Sequence, residues 1–170
     1  ILTIGNPALV TVTKATNQAA STIIYDNLLA MWKRLPTRSK ANAVWFFNVE
    51  CLDQLLLLSH PVGTAALPAR FVNFTDAGGL TIFGRPAIEN EFSPALSTAG
   101  DLTVLDLSEY LFWEKGGVQE AVSIHVAFVT DETVFRFVTR VEGKPAWSAP
   151  LTPYKGTSNT LSPFVALGAR

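Results

Sequence analysis

The stretch Phe83–Tyr110, FGRPAIENEFSPALSTAGDLTVLDLSEY, contains two strand-like runs separated by a polar loop. In the first run Pro86 cannot donate to a ladder, so it limits where the strand begins. The second run, Leu102–Leu107, carries apolar side chains on both faces, which predicts a central strand of a covered sheet. Residues Asp106–Tyr110 then predict a turn or a short helical piece. The stretch separates a helical first half from a strand-rich second half, so the predicted fold class is α+β.

Upstream of this stretch the pattern predicts two helices around one buried strand. The first helix is predicted over Asn17–Leu35, capped by Thr16 or Asn17 and stopped by Pro36. One face of this helix, at spacings of three and four, is formed by Ala20, Ile23, Ile24, Asn27, Leu28, Met31, Trp32 and Leu35. A strand covered on both faces is predicted over Ala41–Phe47. Asn48 then begins a second helix, predicted to run from Val49 to Leu58.

Two weaker patterns flank these elements. Residues 1–14 alternate loosely around the turn signal at 5–7 and predict one or two short strands. Residues Ser59–Gly79 contain Pro61, Pro68 and a Gly-Gly pair, which predicts a long connection. Leu80–Ile82 resumes as a strand or a hairpin arm.

The second half predicts a long β-hairpin with one apolar and one polar face. Its arms are Val118–Phe128 and Val134–Val141, joined by a turn at Thr130–Thr133. The apolar face is formed by Val122, Ile124, Val126, Phe128, Phe135, Phe137 and Val141. Because an isolated hairpin is marginally stable, we expect further strands or a neighbour to cover that face. The run Phe164–Leu167 predicts a closing strand.

The composition fits a single domain or two small lobes. The chain has 170 residues, of which 48% are hydrophobic and only 16% charged, with a formal net charge of -1. Such near-neutrality argues against specific nucleic-acid binding, which depends on clustered basic residues. No apolar run approaches the roughly 20 residues that a membrane span needs, so we expect no membrane partner. The chain begins at Ile1 without Met, and we expect it to be a fragment or a processed product.

The sequence predicts no catalytic, cofactor-binding or metal-binding residues, and therefore no enzyme. Cys51 is the lone cysteine, and we interpret it as a buried, inert thiol. His60, placed in the long connection, and His125, on the polar face of a strand, have none of the local spacing typical of a metal site. The chain contains no nucleophile-elbow or phosphate-loop motif.

Two sets of charged residues have ordinary interpretations. Asp101, Asp106 and Glu109 lie near one another in sequence, but we interpret them as strand-end and turn acids satisfied by solvent rather than as a catalytic pair. The one basic cluster consists of Lys33, Arg34, Arg38 and Lys40. It follows the predicted first helix and suits a solvated helix C-terminus, where cations complement the dipole.

Taken in order, several segments resemble the C-terminal half of a tailed-phage major capsid protein. The similarity lies in FGRPA at 83–87, DLTVLDLSEY at 101–110, a Gly-Gly turn at 116–117, SIHVAF at 123–128, TVFRFVTRVEGKP at 133–145, APLTP at 149–153 and SPFV at 162–165. The predicted first helix and the strand-helix unit 45–58 are similar to the family's central domain. The resemblance covers nearly the whole chain.

The resemblance implies the coat-protein fold of the Hong Kong 97 type. In it residues 1–14 lead into a central, axial domain at 15–112, residues 113–150 form a peripheral hairpin, and residues 151–170 return to the central domain. The family's N-terminal arm, extended loop and spine helix would precede Ile1. We therefore expect this fragment alone to be monomeric or weakly associated.

The resemblance also implies a function and partners. The full-length protein would assemble with copies of itself, as pentamers and hexamers, into an icosahedral shell around phage DNA. Scaffold, protease and portal proteins are further candidate partners, with assembly in the bacterial host cytoplasm and a final place in the virion. Two alternatives stay open: the shell of a bacterial nanocompartment with the same fold, and a ligand-binding α+β domain.

Overall fold

The computed structural model describes residues 4–62, 65–68, 71–75, 78–155 and 159–170. In these ranges the strands are β1 Leu9–Val12, β2 Ala43–Phe47, β3 Ser59–Val62, β4 Ala65–Pro68, β5 Val72–Phe74, β6 Leu80–Ile82, β7 Arg85–Glu89, β8 Leu102–Asp106, β9 Tyr110–Glu114, β10 Gln119–Ala127, β11 Glu132–Val138, β12 Val141–Pro145 and β13 Phe164–Leu167. The α-helices are α1 Tyr25–Arg34 and α2 Leu52–Leu56, with 3-10 turns at Ser39–Ala41, Val49–Cys51, Leu107–Glu109 and Phe128–Thr130.

A seven-stranded mixed sheet forms the centre of the molecule, with the order β1-β13-β8-β2-β7-β6-β5. Strands β1 and β13 pair in parallel, as do β2 and β7, and the other neighbours are antiparallel. Strand β8 lies between β13 and β2, with Val104 opposite both Val165 and Trp45. The central strand and the closing strand predicted from the sequence are therefore confirmed.

One face of the sheet is covered except at its β5 edge, where Phe74 is 59% exposed, and the other face is half open. Helix α1 packs its Leu28 and Met31 onto the covered face, among Trp45, Val104 and Val165. On the opposite face, Val44, Phe46 and Leu105 are only half-buried. The sequence predicts cover on both faces of β2 and β8; the structure gives full cover on one face of these strands and partial cover on the other.

Helix α1 begins eight residues later than predicted. Asn17 and Ser21 have φ angles of 61° and 56°, the left-handed region that a helix cannot contain. The cap is neither Thr16 nor Asn17, since the Asn27 side chain accepts from the backbone N–H of Ile24 at 3.0 Å. The amides of Gln18 and Asn27 also bond reciprocally at 2.8 and 2.9 Å, which fixes the preceding turn against the helix. The end of α1 before Pro36 is as predicted.

The region from Asn48 to Gly79 contains less helix and more strand than predicted. Asn48 does cap, accepting from the backbone N–H of Glu50 at 3.0 Å, but the helix it begins is a 3-10 turn followed by α2, which ends at Leu56. The predicted connection Ser59–Gly79 carries β3, β4 and β5. Hence His60 lies in a strand rather than in a loop; its side chain is outside the described residues. Strand β5 turns into β6 at Gly78, whose φ is 79°.

Phe83 does not begin a strand. Phe83 and Gly84 have φ angles of 51° and 71° and make the tight turn between β6 and β7, where Ile82 pairs with Arg85. A left-handed phenylalanine is strained, and packing offsets the strain. The Phe83 ring lies 4.8 Å from that of Phe71. The Phe83 ring centre also lies 5.5 Å from that of Trp32, which stacks on Trp45.

The predicted hairpin is present as a ribbon of two successive ladders. Strands β9 and β12 pair at its root, and β10 and β11 pair beyond it. At the root Gly143 has no room for a side chain, because an added Cβ would lie 2.6 Å from Cε1 of Tyr110. The Tyr110 ring in turn meets Phe164 of β13 edge-on, with 6.5 Å between centroids. Tyr110 therefore packs between the ribbon and the sheet.

Candidate assembly surfaces

The distal ribbon exposes one apolar face. Val122 pairs with Phe135 and Glu120 with Phe137, so both phenylalanines point to the same side as Val122. Their exposed fractions are 61% for Val122, 62% for Phe135 and 66% for Phe137. Ile124, next but one along β10, is 60% exposed. The predicted apolar face is thus present around Val122, Phe135 and Phe137, and within the described residues nothing covers it. It is not continuous over its predicted length, because the pairing shifts register between Ser123 and Ala127, Phe128 lies in a 3-10 turn and Val141 belongs to β12.

Such a face indicates an interaction surface. A two-stranded ribbon is marginally stable by itself, and contiguous exposed apolar side chains on a protein mark sites where another surface packs. We define the ribbon face as the set Val122, Ile124, Phe135 and Phe137.

A second uncovered apolar surface lies on the half-open face of the sheet. Its floor is formed by Leu9, Phe46, Thr103, Leu105 and Ala166, and its rim includes Ile4, Phe92 and Leu107. Phe92 is 98% exposed and Leu107 50% exposed. The lining carries no charged side chain. It therefore lacks the convergent charged groups typical of a catalytic site and fits apolar packing better.

The interpretation of Asp101, Asp106 and Glu109 as acids satisfied by solvent is wrong. All three carboxylates bond to other groups of the protein. Asp101 is fully buried and forms a bidentate ion pair with Arg170, with oxygen-to-nitrogen distances of 2.9 and 2.6 Å. Asp106 is also buried, and it accepts from the backbone N–H and the hydroxyl of Ser108 at 3.1 and 2.6 Å. These acids lie at the ends of β8, where they fix adjacent turns.

Glu109 joins the ribbon to the central sheet. Its Oε1 lies 2.8 Å from a guanidinium nitrogen of Arg38, and its Oε2 accepts from the indole N–H of Trp147 at 2.9 Å. The Arg38 guanidinium carbon lies 5.3 Å from the centre of the Trp147 ring. We call these three residues the joint cluster. The sequence did not reveal it, because its members come from three distant segments.

Three members of the basic cluster have partners within the chain, although Lys33 and Arg38 stay exposed to solvent as expected. Besides Arg38, the Arg34 guanidinium donates to the carbonyl and hydroxyl oxygens of Thr160 at 2.9 and 3.1 Å. Lys40 places its ammonium 5.4 Å from the ring centre of Trp32. Helix α1 does end with Lys33 and Arg34 in its last turn, as expected for dipole complementation.

Cys51 is buried, as the sequence predicted, and its surroundings disfavour the thiolate. Its Sγ lies 3.7 Å from Oδ2 of Asp101. Burial, and then the nearby Asp101 carboxylate, raise the pKa of the Cys51 thiol from 9.0 to about 12, although Arg170 opposes this rise. The thiolate needed for attack is therefore scarce at neutral pH.

This raised pKa predicts an alkaline loss of stability. The unfolded thiol ionises near pH 9 and the folded one near 12, so the folded state binds an extra proton between them. The contribution is complete below pH 9 and is lost as the pH rises towards 12, at up to about 1.4 kcal/mol per pH unit. Urea unfolding of Cys51→Ala should show a shallower decline over this window than the parent. Equal slopes would contradict the assignment.

The described residues were also compared with the requirements of a metal site and of a membrane-spanning helix. In the part of the chain that the structure describes, no three His, Cys, Asp or Glu residues converge on one point. His125 is exposed on β10, and its backbone N–H donates to the Ser123 hydroxyl at 3.2 Å. Across the same residues, no helix combines the length and apolarity needed to span a bilayer.

Known proteins resemble this chain in sequence and in fold. The model of the phage capsid family matches residues 1–156. A solved structure described as the capsid of an empty GTA particle computed with C5 symmetry has a TM-score of 0.60 and 16% sequence identity. That match covers 94% of this chain and 50% of the other, so the chain spans half the length of the capsid chain it resembles. No curated protein matches.

Proposed function

This chain belongs to the phage capsid family, and from that premise we propose that it builds the icosahedral shell enclosing phage DNA. The family match and the capsid fold make it a structural capsid protein of the Hong Kong 97 type, as the resemblance implied. The observation that carries the proposal is the ribbon face, because an exposed apolar ribbon suits packing against further copies of the same protein.

We propose that the axial domain and the peripheral hairpin have different roles in the shell. Residues 15–112, with the strand at 151–170, form the axial domain around which copies gather into pentamers and hexamers. Residues 113–150 form the peripheral hairpin, which meets neighbours away from the axis, and residues 1–14 lead into the axial domain. The similarity to a capsid computed with C5 symmetry supports association of identical copies.

The same proposal includes partner proteins and a cellular location. Scaffold, protease and portal proteins are the proposed helpers, and the shell assembles in the cytoplasm of a bacterial host before it becomes part of the virion. The 170-residue chain spans half of the similar capsid chain, so we expect it alone to sediment as a monomer or a weak associate. A stable ring at micromolar concentration would contradict that expectation.

The ribbon face provides the test. In the natural protein that carries this sequence, Phe135→Ser combined with Phe137→Ser should weaken association at this contact by a factor of about a hundred or more, because each buried phenylalanine contributes roughly 1.5–3 kcal/mol. Subunit stability should change little, since both side chains are exposed. The readout is the yield of closed shells by sedimentation and electron microscopy.

The matched control for this test is Arg136→Ser. Arg136 pairs with Ala121 and points to the opposite side of β11. It should leave shell yield unchanged. Normal shells from the double phenylalanine variant would remove the ribbon face from the proposed assembly.

A further inference from the structure

Two backbone connections carry the ribbon within the described residues, and they meet at one side chain. The first is the turn Leu107–Glu109, which leads from β8 into β9. The second leaves β12 through Ala146 and Trp147, and the Ala146 N–H donates to the Glu109 carbonyl oxygen at 2.8 Å. The Glu109 carboxylate then accepts from the Trp147 indole. Glu109 therefore ties the outgoing connection to the returning one.

The same carboxylate also reaches the central domain. Arg38 belongs to the connection between α1 and β2, not to the ribbon, and it bonds the Glu109 oxygen that Trp147 does not use. Its guanidinium also lies over the Trp147 ring. Each of the three side chains thus contacts the other two. Such a closed triangle restricts rotation more than a single contact does, because each bond fixes the direction of the next.

We propose that the joint cluster is an angular lock that holds the ribbon at one inclination to the central sheet. Glu109 is its positioning residue. Residues of a strand rise about 3.3 Å each, so the nine residues of β10 extend about 30 Å. Over such a lever, a change of about ten degrees at the joint displaces the tip by about 5 Å. Small changes at Glu109 therefore become large at the ribbon face.

The lock is suited to tuning rather than to holding the fold together. The Arg38 side chain is 63% exposed and that of Glu109 20%, so water and salt compete for the ion pair. The ribbon root is also anchored independently, through Tyr110 and Phe164. Loss of the cluster should therefore loosen the angle and leave the sheet folded. The consequence for shell geometry rests on the proposed function, whereas the lock itself does not.

The test measures the angle directly in this chain. Spin labels are attached at Asp53→Cys, exposed in α2, and at Thr133→Cys, exposed near the ribbon tip. The native Cys51 is fully buried and should not react. Double electron–electron resonance should give one narrow distance distribution in the parent. In Glu109→Gln and in Trp147→Phe the width should grow about twofold, with the circular dichroism melt of the sheet unchanged.

Salt and a matched control separate a lock from a general structural role. The parent distribution should broaden in 1 M salt, where the Debye length is about 3 Å, whereas Glu109→Gln should respond little. Glu142→Gln removes a carboxylate from the same ribbon root, at an exposed position, and should keep the narrow distribution. Unchanged widths in both joint variants, or equal broadening in the control, would overturn the lock. Because no shell is needed, its failure is distinct from failure of the proposed function.

Discussion

Asp101→Asn should lower the free energy of unfolding by about 3–5 kcal/mol, because it leaves the Arg170 charge buried without its counter-ion. Both side chains have 0% exposure. Arg170 also donates through Nε to the Thr22 carbonyl at 2.6 Å, and Asp101 accepts from the Ser97 backbone N–H at 2.8 Å. The pair thus holds two loops and the last strand together, and the variant should loosen all three. Urea unfolding followed by circular dichroism measures the loss.

Two comparisons test the cause of this loss. Arg38→Gln breaks an ion pair whose arginine is 63% exposed, and should cost no more than about 1 kcal/mol. Adding Arg170→Met to Asp101→Asn removes the orphaned charge and should recover part of the stability. If Asp101→Asn cost as little as Arg38→Gln, the buried pair would not have the proposed role.

Trp45→Ala should cost about 3–5 kcal/mol, whereas Trp45→Phe should stay within about 1 kcal/mol of the parent. Trp45 is fully buried in the middle of β2 and stacks on Trp32 at 6.3 Å. Alanine leaves a large cavity there. Phenylalanine leaves a small one, but it removes an indole N–H that has no hydrogen-bond partner in the described structure. Losing an unsatisfied buried donor offsets much of the lost packing.

The control for the tryptophan pair is Trp113→Ala. Trp113 lies on β9 with 46% of its surface exposed, so its removal should cost about 1 kcal/mol or less. Thermal and urea unfolding of the three variants rank their losses of stability. A Trp45→Phe variant as unstable as Trp45→Ala would mean that the indole N–H is satisfied in solution.

Much of the central sheet could be predicted because its strands have unmistakable local patterns. Strands β2 and β13 are continuous apolar runs, β8 carries apolar residues on both faces, and β10 and β11 alternate with period two. The residues before α1 could not be predicted, because helical spacing continues through Asn17 and Ser21 although both adopt left-handed backbone. The turn at Phe83 was hidden for a similar reason, since phenylalanine rarely occupies that region.

The candidate surfaces also differ in whether the sequence predicts them. The ribbon face could be predicted because the alternation along one strand fixes which side chains share a side. The joint cluster and the Asp101–Arg170 pair could not, because they join residues that are far apart in sequence. Asp101 and Arg170, for instance, are 69 positions apart. An acidic residue whose sequence context predicts an exposed turn can instead form a buried ion pair, and only the fold distinguishes these two roles.

Electron microscopy of the natural protein that carries this sequence tests the central claim most directly. We predict closed icosahedral shells made of pentameric and hexameric capsomers, in which the peripheral hairpins of neighbouring copies lie side by side. A protein that remains monomeric under assembly conditions and turns over a small molecule would contradict the claim.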